Sequence, residues 1–491
     1  MLDALPYADA KRLGFLPIDD SEAPTVALRT GADPAVLSEA RRLIGAPFTV
    51  ITKSEREFDD LLATHFGQQT LDTAAVTSGL DDVEELGGLP NTLPAAADLL
   101  DSQDDAPVIQ LINQLIAEAA RTGASDVHIE PYENDVIVRL RIDGVLREVL
   151  RLPAKITAML VSRIKVMARL DIAERRVPQD GRITLMRAGR ALDVRVSTLP
   201  SRGGERVVMR VLDRDQAGIG LTDLGMPDAL LEEVKKVLAQ PNGIILVTGP
   251  TGSGKTTSLY AALRLLNDGA RNILTVEDPV EYAVDGVGQT QVNTKVGMTF
   301  AAGLRAILRQ DPDVIMVGEI RDFETAEIAV QASLTGHMVL SSVHTNDAVG
   351  AIVRLRDLGV EPFLLGSSLR LVLAQRLVRR LCEDCKQRYD APPDMLKRFG
   401  LSANARVYAA CGCPSCGHTG YKGRLGVFEA VAITPQLRTL MLEGANEATL
   451  AREAFKTGQS LSSAAAQLVE AGHTSLEEAL RVTRAEGAVH G

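Results

Sequence analysis

The sequence predicts a multidomain α/β protein, and three observations carry that expectation. The chain has 491 residues, several times the usual domain size, so three or more folding units are expected, each able to bury a core. Ahead of the middle of the chain, helix-period and strand-period patterns alternate. At the middle, the stretch GIILVTGPTGSGKTTSLYAALRLL runs from an apolar strand-length segment, Ile244 to Val247, through a glycine-spaced loop into a helical repeat of Leu259, Ala262, Leu263 and Leu266.

That stretch is a complete G-x-x-x-x-G-K-[ST] motif in its expected strand-to-helix context. Gly249, Gly252 and Gly254, with Pro250, Thr251 and Ser253 between them, let backbone N–H groups turn inward around phosphate oxygens. Lys255 is placed to reach the β- and γ-phosphates, Thr256 to ligate Mg²⁺, and Thr257 continues the loop into the helix. The sequence therefore predicts binding of a nucleotide with Mg²⁺.

Composition narrows the class. No window holds the eighteen or so uninterrupted apolar residues of a membrane span, and the first residues carry acids and prolines instead of a signal, so a cytosolic or membrane-peripheral protein is expected. A net charge of −11 disfavours broad binding to nucleic acid. The five cysteines all follow Leu381, which speaks against a disulfide framework and for a metal.

Taken in order, residues 25–66 read strand, helix, strand, helix: TVALR, PAVLSEARRLI, PFTVIT, then SEREFDDLLATHF with a Ser54–Glu57 capping box. Residues 1–67 form a small α/β module without catalytic residues. Residues 68–105 hold nine acids and no Lys or Arg, the composition of a mobile linker. An amphipathic helix opens at Pro107, followed by strands with a hairpin at Asp143–Gly144, a helix from about Pro153 to Leu170, and further strands from Gly181 to Met186, Ala191 to Ser197 and Glu205 to Leu212. This second α/β domain, 106–214, is expected to carry a mostly antiparallel sheet. Its arginines, including Arg139, Arg141, Arg147, Arg182, Arg195 and Arg210, read either as a solvated face or as guanidinium forks for a neighbour's phosphates. A hinge is expected at 215–225, the nucleotide core at 226–380, a cysteine subdomain at 381–425, and helices to the end after Val427.

Glu277 and Asp278 directly follow the apolar strand Ile273 to Val276, where chemistry gathers in open α/β sheets. The run Val314 to Val317 ends in Gly318-Glu319, an acid placed to hold the Mg²⁺ shell directly or through water. His337 and His344 bracket the next strand, and His344 at its end is a candidate sensor of the γ-phosphate. Cys382 with Cys385 and Cys413 with Cys416 form two C-x-x-C knuckles separated by 27 residues, a Cys₄ zinc pattern. Cys411 is spare, and His418 is close enough to compete as a ligand.

These blocks together resemble the secretion ATPases, most closely the assembly ATPases of type II secretion. GASDVHIEPY, KVMARLDIAERRVPQDGRI, DVRVSTLP, GPTGSGKTT, TVEDPVEY, LRQDPDVIMVGEIRD, LTGHMVLSSVHTND and the paired cysteines occur in the family's order from Ala124 onward. The resemblance implies an N-terminal docking domain, a PAS-like α/β domain, and a RecA-like P-loop ATPase core with a Cys₄ zinc subdomain. It further implies a homohexamer at the cytoplasmic face of the inner membrane. Its partners would be the cytoplasmic domain of an inner-membrane secretion protein, bound through the N-terminal domain, and a platform protein. By the same likeness Glu277 is the general base, Glu319 the acid of the Walker B block, and Arg195 and Arg210 are phosphate contacts. The alternatives are a type IV pilus assembly motor, which shares most motifs, and a nucleic-acid translocase or small-molecule kinase.

Overall fold

The computed structural model describes residues 13–18, 24–32, 36–37, 40–41, 47–54, 57–58, 61, 106–187, 190–212, 218–402, 405–456 and 458–483. The linker expected at 68–105 lies outside the described residues, as do most residues of the two helices expected before it. The chain divides into two compact units, Met1–Asp213 and Arg214–Gly491.

The first unit holds two sheets. Strands β1 (Phe15–Pro17), β2 (Thr25–Arg29) and β3 (Thr49–Lys53) form a three-stranded sheet in which β2 and β3 are parallel. Phe15, Leu16, Val26 and Phe58 are its buried core. Ser54 and Glu57 make the expected reciprocal cap, Glu57 N–H donating to Ser54 Oγ at 3.4 Å and Ser54 N–H to Glu57 Oε2 at 3.0 Å.

Helix α1 (Ala106–Arg121) then leads into a six-stranded antiparallel sheet of β4 (Ala124–Pro131), β5 (Asp135–Ile142), β6 (Val145–Pro153), β7 (Gln179–Arg187), β8 (Arg190–Ser201) and β9 (Gly204–Leu212), in the order β6-β5-β4-β9-β8-β7. Asp143 and Gly144 both take positive φ, 49° and 82°, as a two-residue hairpin turn requires. Helix α2 (Thr157–Met167) and α1 cover the apolar face through Leu111, Leu115, Leu160 and Ile164. On the other face the acids of β4 are roofed by arginines: Arg139 and Arg206 pair with Glu130, and Arg210 and Arg141 with Asp126 at 3.0 and 3.5 Å.

The second unit is built on a seven-stranded sheet. Its elements are α3 (Asp228–Leu238), β10 (Gly243–Thr248), α4 (Lys255–Leu266), β11 (Ile273–Glu277), β12 (Val287–Gln291), α5 (Phe300–Ile307), β13 (Val314–Val317), α6 (Phe323–Leu334), β14 (Met338–Val343), α7 (Ala348–Asp357), α8 (Pro362–Ser368) and β15 (Leu369–Leu381). After β16 (Gln387–Tyr389), α9 (Pro393–Arg398) and β17 (Val407–Ala409) comes β18 (Tyr421–Ala432), then α10 (Pro435–Leu442), α11 (Glu447–Ala454), α12 (Leu461–Glu470) and α13 (Leu476–Thr483). The strand order is β12-β11-β13-β14-β10-β15-β18; every pair is parallel except β15 with β18.

Continuous apolar strands make this arrangement possible, because a parallel sheet must be covered on both faces. In β10, Ile244 and Leu246 enter one core and Ile245 and Val247 the other, where Leu259 and Leu263 of α4 pack. Burying one such side chain contributes about 1.5–3 kcal/mol. Two expectations change here. The chain is not helical from Val427 onward, because β18 runs on to Ala432 as an edge strand of the main sheet. The last part of the expected hinge is also not free chain: Leu221 is buried in the second unit's core, and Arg264 donates to the Ile219 carbonyl at 3.2 Å.

Candidate nucleotide site and cysteine cluster

Strand order assembles the site. β14 lies between β10 and β13, so the loops leaving the carboxyl ends of three adjacent parallel strands meet. β10 feeds the glycine loop, β13 feeds Glu319, and β14 feeds His344.

The loop is shaped by positions that only glycine suits. At Gly249 φ is 150°, and a Cβ there would stand 2.5 Å from both the Gln375 carbonyl and Ser253 Oγ. At Gly254, φ 89°, a Cβ would meet Gln375 Nε2 at 2.7 Å. Beneath the loop, Gln375 of β15 accepts from Ser258 Oγ at 2.7 Å, which ties the floor of the cradle to α4. Above Gly252 there is no atom within 4 Å of a Cβ, so the cradle opens on that side. Ser253 Oγ is buried without a partner, one polar atom left for a ligand.

Lys255 Nζ donates to the carbonyls of Gly249 at 2.8 Å and Pro250 at 3.1 Å, and lies 3.5 Å from His344 Nδ1. Burial lowers its pKa to about 8, with Glu319 opposing the shift and Arg376 adding to it. His344 Nε2 lies 3.1 Å from Glu319 Oε2, and Arg321 pairs with the other oxygen of Glu319. Burial pushes the Glu319 carboxyl up, but the Arg321 guanidinium and His344 outweigh it and hold the group below the usual carboxylate range. Thr345 closes the loop after β14, its N–H donating to Thr248 Oγ1 at 3.0 Å. Lys255, Glu319 and His344 thus form one connected group with Arg321, which sequence reasoning had not singled out. The spacing of Arg321 two residues beyond Glu319 was the available signal.

Glu277 ends β11 on the far side of β13 and belongs to another set of bonds. It is 3% exposed and accepts from Thr275 Oγ1 at 2.6 Å, from Gln289 Nε2 at 3.1 Å and from the Tyr260 hydroxyl. Burial first, and then Glu277, pushes the Tyr260 phenol far above its ordinary pKa, so it stays a donor. His337 is also turned inward, its Nδ1 2.8 Å from the Ala332 carbonyl. Arg195 and Arg210 are cross-strand partners on β8 and β9 of the first unit, and Arg210 is paired there with Asp126.

The four knuckle cysteines converge, all four Sγ atoms lying within 4.8 Å of one another. Backbone N–H groups point at the sulfurs: Gly412 to Cys385 at 3.3 Å, and Cys413 and Gly420 to Cys416 at 3.2 Å each. A closed set of four thiols supported by N–H donors fits a tetrahedral zinc ion. Cys411 lies outside the set, exposed, with its sulfur 3.9 Å from the Ala409 carbonyl.

A glycine cradle ahead of a buried lysine, facing an acid and a histidine from the next two strands, defines a P-loop ATPase. A family profile described as "Type II/IV secretion system protein" matches residues 101–481, and a second profile, for a domain of "GSPII protein E", matches residues 4–66. The chain is 51% identical over 485 residues to type II secretion system protein E of Aeromonas hydrophila, covering 98% of this chain and 97% of that one. It is 52% identical over 451 residues to type II secretion system ATPase E of Vibrio cholerae, covering 91% and 90%. Among solved structures, the pilus retraction motor PilT with bound ADP aligns at TM-score 0.51 and 26% identity over 76% of this chain and 96% of that chain. The ATPase DotB of Legionella pneumophila, at TM-score 0.59 and 22% identity over 77% and 96%, shares the fold. The chain belongs to the type II/IV secretion system protein family, and within it stands with the type II secretion ATPases.

Proposed function

We propose that the chain works as a homohexameric motor at the cytoplasmic face of the inner membrane, converting ATP hydrolysis into growth of a pilus-like fibre that drives folded proteins outward. The observation that carries this reading is likeness along the whole chain: about half the residues match type II secretion relatives over 98% of the sequence, and the N-terminal 4–66 match is to a domain described for protein E of that system. Residues 1–67 then dock on the cytoplasmic domain of an inner-membrane secretion protein, and a platform protein receives the work. Among the described residues no helix is long and apolar enough to cross a membrane, in keeping with attachment through a partner.

In this reading the loop from Gly249 to Thr257 holds ATP, Thr256 its Mg²⁺, and the four cysteines Zn²⁺. Lys255 releases the loop carbonyls to bind phosphate. His344 contacts the γ-phosphate, and Glu319, with Arg321 and His344 beside it, orients the attacking water. Support for Glu319 over Glu277 comes from their bonding: Glu277 already accepts from Thr275, Tyr260 and Gln289. Arg195 and Arg210 act on the site of a neighbouring protomer, Arg210 leaving Asp126 to do so.

The test is made in cells lacking their own copy. Expression of the full chain should restore export of folded proteins to the medium, and Lys255→Ala should not. Removing the residues before Asp105 should keep ATPase activity but abolish co-sedimentation with inner membranes. Restored pili without restored export would favour the pilus motor instead.

A further inference from the structure

Glu429 lies on β18, the edge strand that the nucleotide chemistry does not use, yet it is 2% exposed. An ionised carboxylate is costly to bury unless its oxygens are filled. Here two helices donate to them. Oε1 accepts the Ala348 N–H at 2.8 Å and Oε2 the Leu461 N–H at 3.1 Å, the first residues of α7 and α12. Each helix start presents free N–H groups and the positive end of its dipole, so one negative charge pins both.

α7 begins four residues after His344, and the segment between is held at every step. Thr345 closes on Thr248 at the end of β10, Arg376 of β15 donates to the Asn346 carbonyl, and Asp347 Oδ1 accepts the Gly350 N–H at 2.6 Å. Glu429 closes this chain at Ala348, anchored on its other side by α12. We propose that Glu429 is a positioning residue for the ATPase site: by fixing the start of α7 it sets His344 against Lys255 and Glu319. This rests on the reading that His344 acts at the γ-phosphate.

The test is steady-state ATPase kinetics of the full chain carrying Glu429→Gln, His344→Gln, or both. Glutamine keeps the size but turns an NH₂ toward one of two N–H donors, so one anchor is lost. The expected result is a loss in kcat of about tenfold for Glu429→Gln with KM for ATP within about twofold, as for a small misplacement of a reacting group. The double variant should be no slower than His344→Gln alone, because both changes act through one side chain. Multiplying losses, or wild-type kcat in Glu429→Gln beside a damaged His344→Gln, would overturn the proposal alone. A silent His344→Gln would overturn the reading of His344 and this proposal with it.

Ala348→Pro covers the case in which Glu429→Gln fails to fold. Proline is suited to the first helical position, and the preceding Asp347, at φ −143° and ψ 173°, has the extended conformation that a following proline needs. It deletes the N–H that Glu429 binds and leaves the carboxylate in place. The same kcat loss, again masked by His344→Gln, is expected; wild-type turnover would overturn the proposal.

Discussion

Glu277 and Glu319 stand at the carboxyl ends of β11 and β13, neighbouring parallel strands, and the rule that chemistry gathers at such ends treats them alike. Their partners do not. Three side chains of the fold donate to Glu277, which is 3% exposed. Glu319 keeps 14% of its side chain exposed and pairs with Arg321 and His344, both at least half exposed and beside the cradle. Glu277 is thus engaged from within the fold, whereas the partners of Glu319 face solvent. The thiols extend the contrast: Cys382, Cys385, Cys413 and Cys416 turn toward one another, and only Cys411 looks outward.

The largest effect is therefore expected at a thiol. Cys413→Ser should abolish zinc binding and unfold the turn-rich segment around 382–423, because structural zinc contributes about 10–16 kcal/mol of coupled folding free energy in comparable small sites. ATP binding should survive, since the cradle is built on β10, α4 and Gln375. Metal analysis and nucleotide titration of the same sample check both halves. Unchanged metal content would remove Cys413 from the ligand set.

The acids themselves should separate next. Glu319→Gln should lower turnover by about 10²–10³-fold with little change in unfolding temperature, as loss of a charge acting in the transition state does. Glu277→Gln should do the reverse. An amide there faces Tyr260, Thr275 and Gln289, all of which donate to the carboxylate as it stands, so about 1–3 kcal/mol of stability should go while turnover falls far less. If Glu277→Gln abolished turnover at unchanged stability, the base would be Glu277 and the contrast would fail.

The sequence placed both acids just after short, largely apolar strands and gave them separate roles, but nothing local marks what reaches them. Tyr260 and Gln289 lie 17 and 12 residues from Glu277 and belong to no motif. The strands that carry the site were legible: the apolar runs Ile244 to Val247, Ile273 to Val276 and Val314 to Val317 fall inside β10, β11 and β13. β15 and β18 were not, since arginines interrupt LRLVLAQRLVRRL and β18 emerges from the glycine-rich cysteine stretch. Their antiparallel pairing, Leu371 opposite Ala432 through Leu381 opposite Tyr421, is a long-range fact that local periodicity does not contain. The cysteine cluster was legible because knuckle spacing is local, but the choice between Cys411, His418 and the others needed the fold.

Lys255 allows a finer test, because its partners are internal now but exchangeable. Burial lowers its pKa from 10.5 to about 8, so above that pH the free site holds a neutral amine, while phosphate binding favours the ammonium. ATP affinity should be flat below about pH 8 and fall by up to about tenfold per pH unit above it, with proton uptake on binding. The free fold behaves oppositely. Between about 8 and 10.5 the unfolded chain holds a proton that the native lysine has lost, so this group's contribution to stability rises with pH. Calorimetry in buffers of different ionisation enthalpy reads the proton directly, and a pH-independent affinity from about 7 to about 10 would show that Lys255 stays charged.

The smallest effect, and the closest test of the contrast, is Tyr260→Phe. The ring should keep its place in the core beneath α4, packed edge-on against Tyr282 with centroids 4.5 Å apart. Only the hydroxyl is lost, and with it a donor to Glu277 and an acceptor for the Glu281 N–H at 3.2 Å and Gln289 Nε2 at 3.3 Å. Gln289 still donates to Glu277 and to the Tyr282 carbonyl at 3.1 Å, so the network is weakened and not emptied. A loss of about 1–2 kcal/mol is expected, the usual cost of leaving one buried partner unsatisfied, read as a lower denaturation midpoint. Turnover of the folded fraction should stay within about twofold, because the hydroxyl has no bond to Lys255, Glu319 or His344. A tenfold fall in kcat at unchanged stability would place Tyr260 and Glu277 in the reacting machinery and erase the distinction between the two acids.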